Sequence, residues 1–361
     1  LHLLSRRQRQ MCIRDSFILD SDTPSQPTEF ELKLYINGKK YIYQLILSPK
    51  DILSEKLHVY NSNQPSLLMH RELVDSNTAL KFNQSLIKVS AAVKDELTAK
   101  CLKNMSLFAA RKAVNCNLGE IDDVRDWMIN HTLPVIDLGQ KMFNYAERNM
   151  LENPDAKKHL LDFCHNIGFN IEDMAVEKDY MSLTPEMIQF IKSSGQLSDE
   201  NASKLSKDPK MPNGFKTDFI VSVINKRGKE IYTLPKASQS EGTLRAMGIE
   251  TALYVAEQNN KLLPIDEIET SMHPLLLKFM IQSFLKVQSR SQLLLTTHYD
   301  PLFTAVDDYL RKDSFWLMDK RDDGHSELYP LISKNGVNKM RSLQRAYLNN
   351  KLGALPQIAN V

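Results

Sequence analysis

Between Gly242 and Thr296 the apolar pattern switches repeatedly between two periods, and this alternation constrains the fold more than any other feature of the chain. Gly242–Gln258 has helical spacing, Lys261–Ile265 is a short apolar run, Pro274–Val287 is helical again, and Gln292–Thr296 is a second apolar run. Helices alternating with short strands predict a parallel α/β sheet, because parallel neighbours are joined by helical crossovers. Further strands are expected at Ser314–Met318 and Glu327–Pro330, and a closing helix at Val337–Leu348. Phe219–Ile224 and Glu230–Thr233 flank Lys226-Arg227-Gly228 as a hairpin.

The remainder of the chain has other periods. Glu29–Ile36 and Lys40–Leu47 alternate apolar and polar residues about Asn37-Gly38, a hairpin signal, with further short strands at Val59–Tyr60 and Ser66–Met69. Then spacing near 3.6 takes over: Leu97, Cys101, Met105 and Phe108, then Val124, Trp127 and Met128, then Met142, Tyr145 and Ala146. Helices are expected at Ala156–Ile167 after Asn153-Pro154-Asp155, and at Glu186–Ser193 after Thr184-Pro185. Ser194–Gly214 is polar and reads as a loop. The first sixteen residues, LHLLSRRQRQMCIRDS, share no period with the chain from Phe17 onward and read as a translated adapter scar rather than a mobile basic arm. The expected division is a non-native-looking segment at 1–16, a β-rich lobe at 17–79, a helical insertion at 80–214 and a second lobe at 215–361.

Composition excludes several classes. No run of eighteen apolar residues exists, so no transmembrane helix and no membrane partner are expected. The four cysteines lack metal-ligand spacing and read as reduced, mostly buried thiols of a cytoplasmic protein. A net charge of +2 neither demands nor excludes a nucleic-acid partner.

Three short elements carry chemistry. In KLLPIDEIE, Lys261–Glu269, an apolar strand ends in adjacent carboxylates. Ligands of open α/β sheets lie at the carboxyl ends of the strands. Asp266 suits a Mg²⁺ ion, which takes one or two carboxylates plus phosphate oxygens. Glu267 suits the orientation or deprotonation of an attacking water. The plain alternative is a strand running into an acidic cap. His298, after Thr296-Thr297, ends the neighbouring apolar run and can bond a phosphate or a water; singly, such a histidine is more often a turn residue. Ser240-Glu241-Gly242-Thr243 opens a helix whose free N–H groups form an anion site, or simply a serine N-cap.

Taken together, these elements resemble ABC-type ATPases of the SMC, RecF and overcoming-lysogenisation-defect group, in particular stand-alone AAA-type ATPases linked to abortive infection. Ser240–Thr243 resembles the signature motif in its S-x-G-T form, and Leu262–Glu267 resembles Walker B with the catalytic glutamate. Glu269–Pro274 resembles the D-loop segment, and His298 the switch histidine with one extra residue before Pro301. Phe17–Phe30 and Tyr347–Pro356 resemble the group's flanking segments. The resemblance implies a P-loop NTPase fold of the ABC type, with an antiparallel β lobe, a mixed or parallel core sheet and a helical insertion. It implies ATP and Mg²⁺ as cofactors, with Asp266 holding the metal through water, Glu267 activating the water and His298 sensing the γ-phosphate. Ser240, Gly242 and Thr243 would contact ATP bound to a second copy, giving a homodimer with composite sites. An effector protein and DNA are further partners that the resemblance allows.

The departures are specific. No G-x-x-x-x-G-K-[ST] phosphate loop occurs anywhere in the chain, although the group places one before FILDSDT. Truncation before that segment, with the first strand missing, is the expected cause. Pro264 inside the Walker B strand is unusual, because proline removes a ladder donor. Gln44 is a poor Q-loop candidate within its strand. One alternative is a non-hydrolysing interaction module that only lends a signature surface to a partner. A nuclease is disfavoured, since Asp322-Asp323 next to Gly324 reads as a hairpin turn.

Overall fold

The structure, a computed structural model, describes residues 17, 19–179, 218–306 and 308–355, with 186, 189 and 193. In chain order its strands are β1 (Thr28–Ile36), β2 (Lys39–Leu47), β3 (Ile52–Tyr60), β4 (Ser66–Val74), β5 (Asn77–Phe82), β6 (Ile171–Asp179), β7 (Asp218–Arg227), β8 (Glu230–Pro235), β9 (Leu262–Ile265), β10 (Gln292–Leu295), β11 (Trp316–Lys320) and β12 (Ser326–Pro330). Its α-helices are α1 (Ala91–Lys100), α2 (Leu107–Ala110), α3 (Glu120–Asn130), α4 (Phe143–Glu152), α5 (Pro154–Asn166), α6 (Glu241–Asn259), α7 (Pro274–Lys286) and α8 (Leu343–Leu348). The chain forms two compact units: one takes the described residues up to Thr132 and those from Phe303 onward, the other Leu133–Leu302.

In the first unit β1–β5 form an antiparallel meander with each strand paired to the next. The sheet is larger than the two short strands expected after the first hairpin, because β3 and β4 each run nine residues and β5 follows a turn of left-handed Asp75 and Ser76. Its inner face, with Leu34, Tyr41, Leu57, Val59, Leu68 and Leu80, packs on Leu97, Leu107, Leu118, Ile121 and Val124 of the helical segment. Two charges lie inside this core. Glu55 accepts hydrogen bonds from Leu107 N at 2.7 Å and the Tyr43 hydroxyl at 2.9 Å. Arg71 donates to the carbonyls of Ile52, Leu102 and Lys103 and to the Thr78 hydroxyl. In the C-terminal part, β11 and β12 pair as a hairpin whose turn carries Asp322 and Asp323, as expected. The expected helix Val337–Leu348 is broken into a 3-10 turn, Val337–Lys339, and α8, because Ser342 caps a new helix by accepting from Arg345 N.

The second unit corrects the zoning more deeply. Residues 80–214 are not one helical piece: α1–α3 belong to the first unit, whereas α4, α5 and β6 belong to the second. β6 pairs antiparallel with β7, and β7 with β8, so the expected 219–233 hairpin gains a third strand. The helix expected at 186–193 is helical at its three described residues, and the loop expected at 194–214 lies outside the described residues. Buried Met142, Phe143, Ala146, Met150, Leu160 and Phe163 on and beside α4 and α5 form a core with α6, which is buried without interruption from Arg245 to Leu253. Cys101 and Cys164 are free and buried, Cys116 is free and half-buried, and burial pushes the Cys164 thiol up to about 12. Among the described residues no helix is long and apolar enough to cross a membrane.

The expected parallel pair is present. β9 and β10 run parallel in the register Leu262↔Gln292 to Ile265↔Leu295. On the other side of β9, residues 133–136 add a parallel ladder that the sequence pattern did not announce: Leu133 N donates to Leu262 O, Ile136 N to Pro264 O, and Asp266 N to Ile136 O. Three residues advance on that side against two on β9, a bulge opposite the donor that Pro264 lacks. Proline is accommodated in the central strand because its neighbour, not the strand itself, breaks register.

Candidate active site

Three parallel segments end side by side in polar residues: Asp137 after 133–136, Asp266 and Glu267 after β9, and Thr296, Thr297 and His298 after β10. Carboxyl ends of parallel strands gather at one edge, which is where open α/β sheets bind ligands. Two cross-strand contacts hold this edge. The Thr296 hydroxyl donates to Asp266 Oδ1 and accepts from Glu267 N at 2.9 Å. In the reverse direction, Glu269 Oε1 accepts from His298 N at 2.7 Å, while its buried Oε2 has no hydrogen-bond partner.

The loop after β9 is strained. Glu267 has φ of 47° and Ser271 has φ of 61°, the left-handed region that glycine favours. Each such residue costs on the order of 1 kcal/mol, and the cost persists only where surrounding contacts over-determine it. Here the contacts are the Thr296 hydroxyl on Glu267 N and the start of α6 on Ser271. A Cβ added to Gly242 would lie 2.4 Å from the Ser271 carbonyl oxygen, so only glycine lets the helix start this close to the loop. A Cβ at Gly248 would lie 2.4 Å from the Met142 carbonyl carbon, giving a second close approach two turns on.

Ser240 caps α6: its hydroxyl accepts from Thr243 N at 3.0 Å and shares a hydrogen bond with the Thr243 hydroxyl at 2.7 Å. The ordinary N-cap is thus present, at a helix start where Ser240 and Glu241 are exposed and Gly242 and Thr243 half-buried. The turn leading into it is tied down by Lys236, whose ammonium donates at 2.6 Å to Glu147, a residue of α4 that is 1% exposed. Ser240, Gly242 and Thr243 thus share one neighbourhood with Asp266 and Glu267, through the 266–273 loop. The His298 side chain is exposed at the same edge, and only its backbone is held.

The donor set fits a magnesium–nucleotide complex. Among the described residues no three His, Cys, Asp or Glu side chains form a metal cage. Mg²⁺ does not require one, since it usually relies on one or two carboxylates with phosphates and water. Asp266, half-buried at the strand end, is the carboxylate that would hold such an ion.

Residue patterns did not single out Asp137, Arg245, Glu147 or the bridging role of Thr296. For Asp137 a signal existed: Leu133-Pro134-Val135-Ile136-Asp137 repeats the form of Leu263-Pro264-Ile265-Asp266, an apolar run through a proline into an aspartate. Arg245 and Glu147 carry no such signal, because a charge at one helix position is ordinarily solvated.

The chain belongs to the family described as "AAA domain, putative AbiEii toxin, Type IV TA system", whose model matches residues 12–304. The AAA-type ATPase core expected from the motifs, and its link to abortive infection, agree with that family. Among solved structures, one it is similar to is "Structure of the recombination mediator protein RecF-ATP in RecFOR pathway", at 11% identity over 81% of this chain and 81% of that chain. The TM-score of 0.27 is too low for that likeness to carry an argument. No curated protein matches the chain.

Proposed function

We propose that this chain serves ATP hydrolysis by a dimeric ABC-type ATPase, as the motor or sensor subunit of an anti-phage or DNA-maintenance system. The observation that supports it most is the convergence of three sequence-distant elements on one strand-end edge: the capped, glycine-tight start of α6, the strained Asp266–Glu267 loop and the Thr296–His298 segment. Asp266 would hold Mg²⁺, which supplies charge neutralisation of the phosphates when bound. Glu267 orients and deprotonates the attacking water, and His298 reports on the terminal phosphate. Ser240, Gly242 and Thr243 present the helix start to nucleotide carried by a second copy. The family's association with a toxin of the abortive-infection type supports the anti-phage setting.

The test is phosphate release by the protein. Glu267→Gln should lower turnover by about 100-fold or more, the usual scale of a lost general base. Equal turnover by both proteins sinks the reading. One observation favours a second reading, a non-hydrolysing module: no phosphate loop occurs among the 361 residues. Calorimetric titration of ATP into the 361-residue chain separates the two, since micromolar binding rules the module out.

A further inference from the structure

Arg245 lies inside the protein at 8% exposure, yet its Nε and Nη2 atoms have no hydrogen-bond partner. A buried guanidinium left open is costly, because desolvation is not returned by hydrogen bonds. Such groups are rare enough that each asks for an explanation.

Its direction follows from the helix that carries it. Gly242, Arg245 and Gly248 succeed one another at intervals of three on α6. At 100° per residue they share one face, with Arg245 in the middle. Gly242 abuts the Ser271 carbonyl of the loop after β9, and Gly248 abuts the backbone of Met142, five residues past Asp137. Arg245 therefore lies on the face that α6 turns toward the loop after β9 and the segment after residues 133–136. Asp137, Glu241 and Glu267 are near enough to act on it by charge. They counter the burial that holds its pKa below the usual arginine range.

The three carboxylates differ in availability. Glu241 is exposed on the first turn of the same helix. Asp137 already accepts from Gly139 N at 2.9 Å and from the Gln140 amide at 3.4 Å. Glu267 is held through its backbone alone, its N–H donating to the Thr296 hydroxyl at 2.9 Å and its carbonyl accepting from Thr270 N at 3.1 Å, and among the described residues its carboxylate has no hydrogen-bond partner.

We infer that Arg245 is a positioning residue for Glu267: its guanidinium steers that carboxylate and so ties the orientation of the hydrolytic group to the helix that carries the signature motif. The inference rests on the hydrolytic reading of Glu267. Closure of the helix start on a nucleotide would move Arg245 with it, because both lie on one rigid helix. Arg245 itself touches no reacting atom.

Two arms test this. In the first, Arg245→Met should lower kcat by about 10- to 100-fold with KM for ATP within about threefold, the pattern of lost positioning. Arg245→Lys should recover most of that loss, and Arg245→Met should add nothing to Glu267→Gln. A loss carried by KM, or additive losses in the double variant, overturns the inference. The second arm needs no turnover. In the 361-residue chain, the ¹⁵Nε signal of Arg245, assigned by its disappearance in Arg245→Lys, should move in Glu267→Gln and stay in Glu250→Gln, a buried glutamate further along the same helix. An unmoved signal in Glu267→Gln overturns the inference even where Arg245→Met fails to fold. If the wild-type protein hydrolyses no ATP, the proposed function falls, and the spectroscopic arm still decides the Arg245–Glu267 coupling.

Discussion

The most buried charges of the two units are satisfied to different degrees, although Asp51 and His131 of the first unit also keep a buried atom without a hydrogen-bond partner. In the first, Glu55 and Arg71 are both 0% exposed, and both are tied to backbone and hydroxyl groups, with only Arg71 Nε left over. In the second, Arg245, Glu250 and Glu269 each keep a buried polar atom without a partner. A fully bonded buried charge locks one geometry, whereas an open one keeps an alternative within reach. The antiparallel meander thus behaves as scaffold. At the strand-end edge the open Glu269 oxygen stands beside the left-handed Glu267 and Ser271.

The difference can be broken most sharply at Arg71. Arg71→Met leaves Glu55 buried without its counter-charge, and should cost about 3–5 kcal/mol in urea unfolding. A loss under about 1 kcal/mol would mean that the scaffold charges are as loosely held as those of the other unit. Gly242→Ala comes next. Its methyl would collide with the Ser271 carbonyl, so overpacking should cost about 1–3 kcal/mol, and ATP turnover should fall with it. Unchanged stability would show that the start of α6 is free to shift off the loop.

The smallest effect is a pH trend. Burial, then the nearby Glu250 charge, raises the Glu257 carboxyl to about 7, with His159 opposing. The folded state therefore holds a proton that the unfolded chain has released. The contribution of this group is most favourable below the ordinary carboxylate range and is lost as pH rises toward about 7. Thermal melting from pH 5 to 8 should show wild type losing more stability than Glu257→Gln across that window. Parallel curves would mean that Glu257 titrates alike in the folded and unfolded chain.

The alternation of helix and strand between residues 242 and 296 was legible because a parallel sheet demands it in the chain itself. Apolar runs must sit between helical crossovers, and the chemical residues must stand where the runs end. For the same reason Asp266, Glu267 and His298 could be named from sequence, as could Ser240 and Gly242 at a helix start. The third ladder at 133–136 was not legible, because its pairing with β9 joins segments some 130 positions apart and interrupts its own register opposite Pro264. β6 was hidden likewise: Ile171–Asp179 becomes a strand by pairing with β7 across intervening chain.

What the sequence alone determined was which residue types stand at which ends. Periodicity and end position are local, and they survive without any knowledge of neighbours. What only the tertiary structure decided was how those ends act on one another. The Thr296 hydroxyl bridges Asp266 and Glu267, Gly242 admits the helix start onto Ser271, and Arg245 is sealed in with two donors open. Each of these depends on a distance between residues far apart in the chain, and such distances are set by packing.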